Sequence, residues 1–147
     1  MYPVLLHIHQ ILSWLVILAA AWAIFRSLKG MIMGKQWFTA DKRAAFFLVM
    51  MIDLQVLAGL LLYLVYSPLT RIVFTGFSSA MTDPAVRFYA VEHILVMLVA
   101  AVVVHLGRAK ARNAQFASRK HRISLVFYTL ATILILSRIP WERIFVI

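Results

Sequence analysis

Four long apolar runs constrain the fold of this chain more than any other feature. Each approaches or exceeds the roughly 20 residues that an α-helix needs to cross about 30 Å of hydrocarbon. The 147-residue chain is 64% hydrophobic and only 14% charged, unlike an average soluble domain. We therefore predict an all-α integral membrane protein, a single up-and-down four-helix bundle over residues 1–147, with spans at roughly residues 4–25, 44–66, 87–106 and 123–139.

The lysines and arginines predict how the spans are oriented. Five lie between spans one and two and six between spans three and four, which makes 11 of the 15 in the chain. Because basic loops stay in the cytoplasm, we expect both termini on the outer, periplasmic side of a bacterial inner membrane. Topology thus explains the formal charge of +10, and the dispersed basic residues do not indicate nucleic-acid binding.

Local signals mark where helices start and stop. Gly30 and Gly34 are expected to end the first helix, and Asp83 before Pro84 predicts that the third helix begins before its apolar run does. The chain contains no cysteine. This excludes disulfides, thiolate-bound iron–sulfur clusters and covalent haem attachment.

Two histidines suggest a metal site inside the bundle. His9 and His93 each lie about five or six residues inside the outer ends of spans one and three, roughly 8 to 9 Å deep. These two spans run parallel and should sit diagonally across the core. A single haem between them, held without a covalent bond, would be ligated from both faces.

His7 competes with His9 for this role. The two side chains point about 200° apart around the helix, so only one of them can face the iron. The face that carries His9 bears small residues, including Ser13 and Ala20, whereas the face of His7 bears bulky ones, including Trp14. Small residues let a helix approach a neighbour or a flat ligand, so we favour His9.

Other polar residues would support the site. Tyr89, Arg87 and Arg138 are placed to bind haem propionates, although the arginines have the alternative of snorkelling to lipid headgroups. Glu92 is expected to pair with one of these arginines. Asp53 would either fix the tautomer of an imidazole on a facing helix or simply hold helices together.

His105 and His121 raise the question of a second haem. Two haems stacked along one helix need ligands about 13 or 14 residues apart, and the 12 residues from His93 to His105 leave the rings about 120° out of register. His121 lies among basic residues. We expect a single haem in the protein and expect both of these histidines to lie at the membrane interface.

Several segments carry a family resemblance: LLHIHQILSWLV, DLQVLAGLLLYLVYSP, and RFYAVEHILVML continuing to HLGR. They resemble small bacterial four-span proteins described as cytochrome b-like and, more loosely, the four-helix haem bundles of the cytochrome b561 and haem A synthase groups. The resemblance implies a b-type haem held by His9 (or His7) and His93. In such proteins a further histidine can occupy the second-span position where this chain has Asp53.

The leading interpretation is therefore a haem b protein for one-electron transfer rather than a stand-alone enzyme. Its electron donor would be a quinol or a redox partner protein, and its surroundings membrane lipid. The alternative is a non-catalytic accessory or assembly subunit of a larger membrane complex. A weaker third interpretation is a proton-coupled carrier that uses Asp53 and Glu92, although four spans without an inverted repeat do not favour it.

Overall fold

The computed structural model describes residues 1–145, apart from the side chains of Leu69, Ser79, Arg143 and Ile144. The described chain is helical throughout and contains no β-strand, which confirms the predicted all-α class. The elements are α1 (Tyr2–Ile32), α2 (Thr39–Leu61), α3 (Pro68–Thr75), α4 (Phe77–Thr82), α5 (Pro84–Arg87), α6 (His93–Asn113), α7 (Ala117–Ser137) and α8 (Trp141–Ile144).

Within the described residues, four helical stretches are long and apolar enough to cross a membrane. They are longer than the apolar runs in the sequence, because helices continue past the hydrocarbon into the polar interface. The third begins at the Asp83–Pro84 signal, as predicted, where Asp83 Oδ1 accepts a hydrogen bond from the backbone N–H of Ala85 at 2.8 Å. The stretches are Tyr2–Ile32, Thr39–Tyr66, Pro84–Asn113 and Ala117–Ser137.

The four long helices form a closed ring of neighbours. Helix α1 packs against α2 and α7, and α6 packs against α7 and α2. Helices α1 and α6 are therefore diagonal partners across the bundle, as predicted for spans one and three. We call the end where α1 joins α2 and α6 joins α7 the basic end, and the opposite end the histidine end.

Small side chains bring the helices together. The buried core contains many alanines and few large residues, which lets backbones approach closely when lipid supplies no hydrophobic driving force between helices. This core fills the middle of the bundle and its basic half, whereas the histidine half holds a cavity. Fully buried members of the core include Ala20, Ala23, Ala44, Leu48, Ala100, Val104, Tyr128 and Ala131.

Only one of the two expected glycine breaks ends α1. Gly34 adopts a positive φ of 58°, which glycine tolerates without a steric penalty, and the chain turns there. Gly30 instead lies inside the helix. A Cβ atom at Gly30 would overlap the imidazole of His121 on α7, so this glycine allows close packing and does not break the helix.

Two π-helical turns flank the histidine end. Residues Leu62–Tyr66 prolong α2, and Phe88–Glu92 lead directly into α6. The hydroxyl of Tyr63 in the first turn donates a hydrogen bond of 2.8 Å to the carbonyl of Ala90 in the second. Since π turns often occur at functional sites, their position directs attention to this end of the bundle.

Candidate functional site

His9 and His93 meet at the centre of the histidine end. Their ring centres lie 6.4 Å apart, and the two ring planes are inclined at 72°. Both rings come from helices that sit diagonally across the bundle, so the imidazoles reach toward each other through its middle. The predicted pair is therefore brought together in the structure.

The ring of His93 is oriented by the end of α7. Its Nδ1 atom lies 2.7 Å from the carbonyl oxygen of Arg138, so a protonated Nδ1 donates to that carbonyl. This carbonyl is available because α7 ends at Ser137 and the last carbonyls of a helix lack intrahelical partners. The bond leaves Nε2 of His93 with the lone pair that a metal ligand requires.

The ring of His9 is held by α2 and by its own helix. The amide nitrogen of Gln55 lies 3.3 Å from Nε2 of His9 and donates to Oγ of Ser13 at 2.7 Å. Ser13 Oγ in turn donates to the carbonyl of His9 at 2.9 Å. Nδ1 of His9 is buried and has no hydrogen-bond partner in the described part of the chain. A neutral imidazole that accepts from this amide at Nε2 carries its proton on Nδ1, so a metal could bind His9 only after the Gln55 amide is displaced or the proton moves to the other ring nitrogen.

Gly59 makes room for this arrangement. A Cβ atom at this position would lie 3.1 Å from Cε1 of His9, closer than side chains normally approach. Gly59 lies one turn after Gln55, so α2 presents a hydrogen-bonding amide and then a bare backbone to the same imidazole. Neither residue belongs to the predicted set of site residues.

A cavity of about 190 Å³ adjoins the two imidazoles. Side chains from all four long helices line it, and most of them are apolar. Tyr2 and Tyr89 line it as well, and Tyr89 is one of the predicted site residues. Its apolar walls include Leu6, Val16, Ile52, Val56, Met97 and Ile135.

Charged residues gather beside His93. Oε1 of Glu92 lies 2.9 Å from Nε of Arg87, and Oε2 lies 3.8 Å from Nη2 of Arg138. Glu92 therefore pairs with both arginines, which confirms its predicted pairing. Both guanidinium groups stay nearly half exposed, so each keeps N–H donors free at the histidine end.

His7 lies outside this group. Its Nδ1 atom donates to the carbonyl of Pro3 at 2.6 Å, the side chain is exposed, and it does not line the cavity. Of the two alternatives, His9 is the residue that faces His93.

Asp53 bonds an imidazole, although at a different place from the cavity. Its Oδ1 atom lies 2.7 Å from Nε2 of His105 on α6. Both side chains are about half exposed on the outside of the bundle, at 53% and 51%. Asp53 points away from Gln55, its neighbour two residues on, because two residues turn a helix by about 200°. The pair joins α2 to α6 and so combines the two roles considered for Asp53, since the carboxylate bonds an imidazole on another helix and holds the two helices together.

His121 is packed inside the bundle, whereas its predicted depth at the membrane interface stays a prediction. The residue is 1% exposed because Gly30 leaves space for its ring within the basic end. His105, which is more than half exposed on its side chain, does lie at the surface of the bundle.

The residues fit a haem better than a bare metal ion. No group of three or more His, Cys, Asp or Glu side chains converges within the described residues, whereas haem iron takes four ligands from its macrocycle and needs only two from the protein. Metal–imidazole bonds are about 2 Å long, so two imidazoles on opposite sides of one ion have ring centres roughly 6 Å apart. The observed distance is 6.4 Å.

Comparison with protein-family models, with curated proteins and with solved structures finds no match for this chain. Any functional conclusion therefore rests on the chemistry of the residues described above.

Proposed function

We propose that the protein binds one b-type haem non-covalently between His9 and His93 and transfers single electrons in a bacterial inner membrane. The observation that carries the proposal is the pair of imidazoles, 6.4 Å apart between ring centres, beside a mostly apolar cavity. Two protonated imidazoles would repel each other at this distance. Two neutral rings avoid this repulsion, and an ion held between them would take one lone pair from each ring.

Each ligand has a partner that fixes it. The carbonyl of Arg138 orients His93, and the amide of Gln55 with Ser13 orients His9. The bond from Nδ1 of His93 to a carbonyl is of the kind that selects the tautomer and raises the basicity of a metal ligand, whereas the amide of Gln55 donates to Nε2 of His9 and positions that ring. Tyr89 in the cavity lining and the half-exposed guanidinium groups of Arg87 and Arg138 would bind the propionates, since guanidinium groups match carboxylates well.

These residues favour electron transfer over substrate chemistry. A haem held there would supply a one-electron iron couple, and two histidine ligands would fill both axial positions and leave none for a small molecule. The donor or acceptor would be a lipid-soluble quinol or a partner protein. By the charge rule for loops, the site lies near the periplasmic face.

Visible spectroscopy of the purified protein tests the proposal. Protein from haem-replete cells should show a reduced-minus-oxidised spectrum of a six-coordinate b-type haem. We expect His93→Ala and His9→Ala each to abolish or convert this spectrum. His7→Ala is the matched control, because it removes an exposed histidine from the same helix and should leave the spectrum unchanged.

Two results would contradict the proposal. One is an uncoloured protein that co-purifies in fixed stoichiometry with other membrane subunits, which would favour the accessory-subunit interpretation. The other is a haem spectrum that is lost in His7→Ala and retained in His9→Ala.

A further inference from the structure

A second cavity, which we call the basic cavity, lies at the basic end of the bundle, far from the two site histidines. Its volume is about 320 Å³. The last turns of α1, the connection to α2, the start of α2 and one side chain of α7 enclose it. Its lining includes Arg26, Lys29, Gly30, Lys35, Asp41 and His121.

The basic cavity carries an excess of positive charge. Asp41 is its single carboxylate among the lining residues, and both carboxylate oxygens are occupied. Oδ1 accepts from Nε of Arg26 at 2.8 Å, and Oδ2 accepts from the backbone N–H of Phe38 at 2.8 Å. No ion pair within the described residues involves Lys29 or Lys35. The ammonium group of Lys29 lies 5.9 Å from the ring centre of Phe25, a contact that leaves it without an anionic partner, so both lysines can pair with an anion.

The start of α2 adds to the positive electrostatic potential of the basic cavity. Helix α2 is 23 residues long and begins at Thr39, and Ala40 in its first turn lines the basic cavity. The N–H groups of Asp41 and Lys42 donate to the carbonyl of Phe38, so Thr39 and Ala40 are the positions whose backbone N–H groups, together with the helix dipole, favour an anion.

His121 provides the observation that points to a ligand. The residue is 1% exposed and lines the basic cavity. Its Nε2 lies 3.4 Å from the carbonyl of Gln36, and its ring packs on Trp37 at 4.9 Å between centres. Nδ1 is buried and has no hydrogen-bond partner in the described chain. Unsatisfied buried polar atoms are costly, and an anion in the basic cavity would accept a hydrogen bond from a protonated Nδ1.

We propose that the basic cavity binds the phosphate group of an anionic ligand. Lys29 and Lys35 neutralise the phosphate charge, while the first amides of α2 and Nδ1 of His121 donate hydrogen bonds to its oxygens. The Arg26–Asp41 pair fixes the wall of the cavity. The phosphate belongs either to a phospholipid headgroup or to a water-soluble phosphate, and the experiment below separates these sources.

Two measurements on the full-length protein test this proposal. In the first, native mass spectrometry follows phosphatidylglycerol retained by protein released from phosphatidylcholine nanodiscs that contain a minor fraction of it. In the second, calorimetry follows inorganic phosphate added to protein in maltoside micelles. The test variant combines Lys29→Ala with Lys35→Ala. The matched control combines Lys110→Ala with Arg112→Ala, two exposed basic residues in the last turn of α6.

Retention of phosphatidylglycerol should fall about thirtyfold in the test variant and stay unchanged in the control, since two basic residues near a headgroup contribute about 1 kcal/mol each. That result supports the proposal with a lipid as the source. Binding of inorganic phosphate alone, lost in the test variant, supports it with a soluble phosphate. Equal losses in both variants, or no binding of either probe to the native protein, would overturn it.

A third variant addresses the buried imidazole. His121→Gln keeps a polar side chain but removes the imidazole and its Nδ1 atom, and it should weaken the same binding as the lysine variant does. Circular dichroism checks that the helices remain. A folded His121→Gln protein that binds both probes as the native chain does would remove His121 from the proposed site.

Discussion

At the scale of single residues, the site depends on a backbone carbonyl at the end of one helix and on a glycine that lacks a side chain. The carbonyl of Arg138 is free to orient His93 because α7 ends there. Gly59 has its effect through a missing side chain, since a Cβ atom there would lie only 3.1 Å from the imidazole of His9. A search of the sequence for polar side chains finds neither of these groups.

A substitution at Gly59 should disturb His9. In Gly59→Ala the added Cβ atom would lie 3.1 Å from Cε1 of His9, so the ring must shift by a few tenths of an ångström. The larger side chain in Gly59→Val should displace the ring and cost about 1–3 kcal/mol, as overpacking typically does. We expect haem retention to weaken about tenfold or more in Gly59→Val and less in Gly59→Ala. Titration of the purified apoprotein with haemin measures this, and equal affinity in all three proteins would contradict it.

At the scale of elements, the two π-helical turns connect the second and third spans. Tyr63 sits in the turn that ends the second span, and Ala90 sits in the turn just before His93. The hydrogen bond from Tyr63 to the carbonyl of Ala90 therefore fixes the position of the turn that carries His93. Ala90 is 2% exposed, so no water would replace a lost donor.

Removal of this bond should destabilise the protein. In Tyr63→Phe the buried carbonyl of Ala90 loses the hydrogen bond from the hydroxyl, which costs about 0.5–1.5 kcal/mol. Tyr66→Phe is the matched control, because Tyr66 lies in the same π turn and its hydroxyl makes no hydrogen bond within the described residues. Thermal unfolding followed by circular dichroism should show a lower midpoint for Tyr63→Phe alone. Equal midpoints for the two variants would mean that this hydrogen bond contributes nothing measurable.

At the scale of the whole molecule, four helices are long and apolar enough to cross a membrane. An even number of spans predicts both termini on one side, and the charge rule predicts the periplasmic side. The absence of cysteine in the native chain permits a direct test with single cysteines. A membrane-impermeant maleimide should label Ser78→Cys in intact cells and should label Gln115→Cys only after lysis. Both positions are exposed. The opposite labelling pattern would reverse the orientation and place the histidine end in the cytoplasm.

Much of this architecture was predictable from the sequence. The lengths of the apolar runs indicate the four spans. The equal depths of His9 and His93 on the parallel spans one and three indicate that the two side chains meet. The inward face of α2 was not predictable, because lipid-facing and core-facing residues are both apolar in a membrane helix and no polar stripe marks the difference. The sequence therefore favours Asp53 as a site residue, whereas in the structure Gln55 is the residue of this helix that faces the site. The π turns and the Tyr63–Ala90 bond depend on tertiary packing and leave no local pattern.

The bond between Asp53 and His105 has a consequence for how the protein is made. An aspartate at the centre of a span costs about 2.5–3.5 kcal/mol on insertion into the membrane, and Asp53 lies near the middle of the second span. Its partner is synthesised 52 residues later. The second span therefore carries an unpaired polar group until the third arrives beside it, so stable insertion of one depends on synthesis of the other.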